Sequence, residues 1–252
     1  MEPERELLQA LSALERYFDA EGEACDFAAL AASRERGHLA VCLNALAAFD
    51  PGRIRIAAQT AFWVNLYNAA VLRDTPELLV SLEAGARELA AYCARARIRL
   101  AGLEYSLDDL YHGVLRGNAR APGHLRAPMH RDDPRLAHVP FALDDRLHFV
   151  LWRGVRSSPA FRAYEAGQLD EALEDASARY LRRTVRVDAR ARALELPALL
   201  HWFAVDFGGE SGVLEFVVGR LDEAALEPLG EDLGRVKLRY AAFDWRPAAR
   251  AG

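Results

Sequence analysis

A chain of 252 residues, 52% apolar and 27% charged, has enough material for one large globular domain or two small ones. Its net charge of −5 comes from acids and bases interleaved throughout, without the basic tract or basic–aromatic alternation of a nucleic-acid binder. The opening MEPERELLQALSALERYFDA lacks the basic start and apolar core of a signal peptide, and the most apolar segment, AAQTAFWVNLYNAAVL, is too short to span a membrane. Cys25, Cys42 and Cys93 stand at unrelated spacings among apolar residues, which suits buried thiols in a cytoplasmic protein better than a disulfide framework.

In chain order, Leu7, Leu8, Leu11, Leu14 and Phe18 recur at helical spacing and predict an amphipathic helix over 4–18. A second helix is expected over 38–48, stopped by Asp50-Pro51-Gly52. A long helix should follow over 53–73, apolar almost all round and therefore buried in the core. The basic stretch Arg95, Arg97 and Arg99 reads as a solvated face. RIRLAGLEYSL predicts a tight hairpin about Ala101-Gly102. Ser106 then caps a helix, with Asp109 as its capping-box partner, and Gly117-Asn118 ends it. From there to Leu143 the chain carries Pro122, Pro128, Pro134 and Pro140 and predicts a long loop bordering a cleft.

The apolar run LHFVLW predicts a strand buried on both faces, and Pro159 a short helix with Ser157 or Ser158 as its cap. An amphipathic helix over 169–182, a hairpin in TVRVDARARALEL, helices from Pro197 and over 211–219, and a strand in VKLRYAAFDW complete the chain. With no repeat and no clean linker, the expectation is a single helix-rich α+β domain over 1–252, with a small mixed or antiparallel sheet and a long core helix.

Several polar residues need an explanation. Asn65 and Asn68 share a face of the long helix and must either bond to backbone or face a polar cleft. Asp108, His112 and Arg116 fall at successive i, i+4 positions, which reads as a solvated face or as a carboxylate-held histidine beside an anion-binding arginine. His148 in its predicted strand is a core residue unless a nucleophile lies beside it. His124, His130 and His138 match no ligand spacing, so no metal site is expected. A serine before Pro159 still needs a base to remove its proton, and a helix N-terminus there would favour a thiol more than a hydroxyl.

FWVNLYNAAVL, EYSLDDLYHGVLRG, DPRL, RLHFVLWRGVRSSPAFRAY, LLHWFAVDFG and FDW, in that order across about residues 25–246, resemble the uncharacterised family catalogued as domain of unknown function 547. Against that family's pattern, Arg153 and Ser158 stand where relatives carry cysteines, and Tyr111 stands where they carry a glutamate before the histidine. The resemblance implies a scaffold comparable in pattern to papain-like and transglutaminase-like thiol enzymes, here without the thiols. The expectation is a cleft gathering Asn65, Asn68, His112, Arg116, His148, Arg153, Ser157, Ser158 and Asp206. It would serve a binding or accessory protein that recognises a peptide or small anionic ligand, without a cofactor. The alternative is an amide- or ester-bond hydrolase or acyltransferase, with Ser158 as nucleophile, His148 or His112 as base and Asp206 or Asp108 orienting it; a third is a purely structural interaction domain.

Overall fold

The structure, a computed structural model, describes residues 2–95, 97–140, 143–230 and 233–250. Six helices lead the chain: α1 (Pro3–Leu14), α2 (Phe27–Ala32), α3 (Arg34–Ala45), α4 (Ile56–Arg73), α5 (Thr75–Ala84) and α6 (Ala86–Ala94). The hairpin of β1 (Ile98–Leu100) and β2 (Leu103–Tyr105) follows. After a long irregular middle come α7 (Leu169–Thr184), β3 (Arg186–Asp188), β4 (Ala193–Pro197), α8 (Ala198–Trp202), α9 (Glu210–Val218), α10 (Glu223–Leu226) and β5 (Lys237–Ala241). The fold is α+β and helix-rich: β3 and β4 pair antiparallel, and β5 joins β4 in parallel, giving a small mixed sheet.

The core is built on α4. Every residue from Ala61 to Leu72 is buried, as a helix without a polar face requires, and α1, α3, α5 and the 109–115 segment all pack on it. The β1–β2 turn places Ala101 and Gly102 at φ of 50° and 74°, the left-handed pair of a two-residue hairpin. Ser106 and Asp109 form the expected capping box, Asp109 N–H donating to Ser106 Oγ at 3.0 Å and Ser106 N–H to Asp109 Oδ2 at 2.9 Å.

Three expectations are corrected. LHFVLW is not a strand: Asp145–Phe149 is a turn of 3-10 helix, and His148 sits on it. An apolar run of that length fits a buried strand or a buried helical turn equally well, and periodicity does not separate them. No helix begins at Pro159; residues 159–165 are irregular. The backbone ahead of the proline is instead taken by the C-terminal tail, where Ser157 N–H donates to Asp244 O at 3.2 Å and Val155 bridges Pro247. Nor is the arginine trio a solvated face throughout: the Arg97 side chain is only 5% exposed and pairs with Asp74 and Glu77, while Arg99 pairs with Glu104 on the surface.

The irregular middle is held by amides from α4. Asn68 Nδ2 donates to Val150 O at 3.0 Å and its Oδ1 accepts from Trp152 N–H at 2.9 Å. Asn65 does the same for Tyr164, at 2.8 Å to its carbonyl and 3.0 Å from its N–H. Buried backbone that forms no helix or sheet must find partners elsewhere, and these two side chains supply them.

Candidate functional site

The segment Asp109–Leu115 is a π-helix, closed by bonds such as Arg116 N–H to Tyr111 O at 3.0 Å. With more residues per turn, neighbouring side chains are separated by a smaller angle, so Tyr111 and His112 both face inward. The segment is buried from Leu110 to Leu115. The solvated stripe that the i, i+4 spacing suggests is therefore absent: His112 and Arg116 are 7% and 3% exposed, and Asp108 alone of the three is part-exposed. Met129 lies against Gly113, where a Cβ would come within 2.5 Å of its methyl carbon, and Asn118 clasps the Met129 backbone through both ends of its amide. These contacts seat the long loop beside the histidine.

Arg116 forms a two-pronged pair with Asp206, Nε to Oδ2 at 2.6 Å and Nη2 to Oδ1 at 2.9 Å, both side chains being at most 5% exposed. Asp206 reaches inward from the 3-10 turn Ala204–Phe207, so two residues 90 apart in sequence meet. Burial alone would raise the Asp206 carboxyl, but hydrogen bonds from His148 and Arg116 hold it down at about 2. His148 is fully buried and stacked on Phe203 at 4.3 Å; its Nε2 lies 2.9 Å from Asp206 Oδ2 and its Nδ1 2.7 Å from Tyr111 Oη. Burial pulls His148 down to about 4 despite the carboxylate. His112 is pulled down further, to about 2, by burial and by the positive charges of Arg116 and Arg153.

These partners fix every proton. Asp206 is a carboxylate, so His148 Nε2 carries the hydrogen and donates to it, and Nδ1 must accept. Tyr111 then donates to His148 Nδ1 while its oxygen accepts from Arg153 Nη2 at 2.9 Å. Arg116 Nη1 can only donate, so His112 Nδ1, 3.0 Å away, accepts, and its proton sits on Nε2. The result is one continuous chain, from Arg153 through Tyr111 and His148 to Asp206, then back through Arg116 to His112. Neither imidazole keeps a free lone pair.

Ser158, Ser157 and the asparagines take no part in it. Ser158 is 3% exposed, and its Oγ accepts from Arg153 N–H at 2.7 Å; among the described residues no imidazole bonds to it. Ser157 Oγ accepts from Asp244 N–H at 2.8 Å. Neither serine caps a helix, since none starts there; both satisfy backbone of the Trp152–Pro159 turn and the tail. The structure thus gathers His112, Arg116, His148, Arg153 and Asp206, and assigns Asn65, Asn68, Ser157 and Ser158 to holding backbone. Sequence reasoning missed Tyr111 as the connecting group and Phe203 as the ring beneath His148, because both read as ordinary members of apolar stripes. Tyr111 lies directly before His112, and only the π-turn makes that adjacency a shared face.

The profile of the family described as "Protein of unknown function, DUF547" matches residues 53–181. The chain belongs to the DUF547 family. Comparison with curated proteins and with solved structures gave no match. The DUF547 match takes in α4, the π-helical segment, the His148 turn and most of α7, and stops short of Asp206. The carboxylate that completes the cluster thus comes from outside the matched stretch. Among the described residues, no group of three or more His, Cys, Asp or Glu is arranged to hold a metal ion.

Proposed function

We propose that this protein is a binding or accessory protein, holding a small anionic ligand or an acidic peptide at the Arg153 end of the hydrogen-bonded chain. The observation that carries this reading is the direction of that chain. A general base needs a free imidazole lone pair, and both are occupied, that of His148 by Tyr111 and that of His112 by Arg116. The groups left over are donors. Arg153 spends one N–H on Tyr111 and makes no ion pair among the described residues, and His112 Nε2–H has no partner there. Arg116, by contrast, is neutralised by Asp206 and is not free to hold an anion. Donors and an uncompensated guanidinium suit a carboxylate or phosphate. Three unpaired cysteines fit a cytoplasmic setting.

The alternative, a hydrolase or acyltransferase using Ser158, would require its hydroxyl to leave the Arg153 amide and meet an imidazole with a free nitrogen. The experiment pairs both readings. Acidic peptides and small carboxylates are titrated calorimetrically against wild type, Arg153→Gln and Arg153→Glu, and activated esters and amides are assayed with wild type and Ser158→Ala. Saturable binding lost in both Arg153 variants, without serine-dependent turnover, is the expected result. Fluorophosphonate labelling of Ser158, or binding that ignores Arg153, overturns it.

A further inference from the structure

Next to the Ser157–Ser158 turn, whose carbonyls accept from Tyr180 and Arg183, lies a cavity of about 380 Å³ that has neither Arg153 nor any other member of the hydrogen-bonded chain in its lining. It opens between the loop containing Glu21 and Glu23, the irregular segment 160–164 and the C-terminal half of α7. Arg162 enters it from the irregular segment, and Arg179, Arg182 and Arg183 from the helix. Four guanidiniums therefore line one small cavity against two carboxylates, Glu21 and Glu23.

Their partners do not cancel the charge. Arg183 pairs with Glu23 at 2.8 Å and donates to Ser158 O at 3.1 Å. Arg179 pairs with Asp175, one turn back on α7, at 3.0 Å. Arg162 reaches only a neutral group, Ala20 O, at 2.6 Å, and no partner is seen for Arg182 among the described residues. The Nε–H groups of Arg179 and Arg183 are buried without a hydrogen-bond acceptor among the described residues. The negative end of the α7 dipole favours Arg182 and Arg183 in the last turn, but it does not explain why Arg162 converges on them from another element. Like charges at i, i+3 and i, i+4, as in Arg179, Arg182 and Arg183, repel one another unless an anion lies between them.

We propose that this cavity binds a phosphate monoester. Guanidinium forks arriving from two directions suit a tetrahedral dianion, whose oxygens point several ways, better than one planar carboxylate. Its volume is that of a small-ligand site, and Tyr164, Tyr180 and Phe149 in its lining provide an aromatic wall for the ester group. The site is separate from the proposed Arg153 site, and neither reading rests on the other.

The test is calorimetric titration with phenyl phosphate, inorganic phosphate and phenylacetate at constant ionic strength. It uses the whole chain as wild type, Arg162→Gln, Arg182→Gln and Arg153→Gln. Saturable binding of phenyl phosphate is expected, weakened by about tenfold or more in Arg162→Gln and Arg182→Gln and retained in Arg153→Gln. Arg182 is exposed, so its variant keeps the fold and decides the matter alone should Arg162→Gln not fold. Absence of saturable phenyl phosphate binding to wild type overturns the proposal. So does binding indifferent to Arg182, binding of phenylacetate by Arg153→Gln as tight as that of phenyl phosphate, or loss of phenyl phosphate binding in Arg153→Gln, which would move the ligand to the other site.

Discussion

The helical N-terminal part, Pro3 to Ala94, and the middle stretch from Asp145 to Tyr164 are both built into the core, yet they satisfy their backbones in different ways. In the helices each N–H meets a carbonyl one turn back, and the side chains are free to be apolar. In the middle stretch Phe149, Val150, Leu151 and Trp152 are at most 1% exposed although little regular structure surrounds them. There side chains are among the partners, Asn65 and Asn68 from α4 and Ser158 from the turn itself, and backbone carbonyls of the tail and of Gly22 supply others. Irregular backbone can thus occupy a core, provided that polar side chains from elsewhere replace the missing ladder. The same stretch carries His148 and Arg153, so the cluster is mounted on the part of the fold that local sequence describes least.

If the cluster is a closed network, breaking it should be the most costly single change. Asp206→Asn leaves Arg116 buried without its counter-charge, and Arg116→Met strands Asp206. Each should destabilise by about 3–5 kcal/mol in denaturant melts. The double variant Arg116→Met/Asp206→Asn should cost clearly less than the sum, because neither charge is then orphaned. Additive losses, or a single loss under about 1 kcal/mol, would mean that the pair is solvated and the chain of bonds is open.

Acid should act on the same network. Both buried histidines lie below their ordinary value of 6.5, His148 at about 4 and His112 at about 2. The unfolded chain therefore binds protons first, and the stability these groups contribute above pH 6.5 is lost as pH falls toward their folded values. Each should add a slope of about 1.4 kcal/mol per pH unit between roughly pH 6 and 4. Asp206, held at about 2, adds a further loss only below its ordinary 3.8. Melts of wild type against His148→Gln and His112→Gln measure the slopes. A stability flat from pH 7 to pH 4.5 would contradict neutral buried histidines.

Next in size are the amides that hold the irregular stretch. Asn65→Ala and Asn68→Ala should each cost about 1–3 kcal/mol by leaving a buried backbone donor and acceptor unpaired, and Asn→Asp about as much or more. Neutral melts for both would show that the middle stretch finds its partners elsewhere. The need to bury these amides was legible in the sequence, because α4 has no polar face. Their partners were not, since Tyr164 lies 99 residues from Asn65 and Val150 82 from Asn68. The contrast holds through the chain. Periodicity and turn residues announced α1, α4, α7, the β1–β2 hairpin and the Ser106–Asp109 box, all of them local. The LHFVLW turn and the absent Pro159 helix were decided by contacts with α4 and with the tail at Asp244 and Pro247, which no window of sequence contains. In the cluster, spacing placed Asp108, His112 and Arg116 together, but the carboxylate that binds Arg116 is Asp206, and only the fold brings it there.

The smallest expected effect separates the two roles considered for Ser158. Its hydroxyl accepts from the Arg153 amide, so Ser158→Ala removes one acceptor from a buried N–H and should cost about 1 kcal/mol, up to 3 if no other acceptor reaches it. Ser158→Cys keeps a weak acceptor at the same place and should lose less than the alanine variant. Neither change touches the Arg153 guanidinium, whose bond to Tyr111 comes from the far end of the side chain. Binding at Arg153 should therefore survive both substitutions while the melting temperature falls modestly in one. A nucleophile predicts the reverse, with stability nearly unchanged, any turnover abolished by alanine, and altered reactivity in the cysteine variant. Measuring melts and ligand titrations on the same three proteins distinguishes them. A serine that acts as a backbone acceptor belongs with Asn65 and Asn68, as a side chain standing in for secondary structure beside the charged cluster.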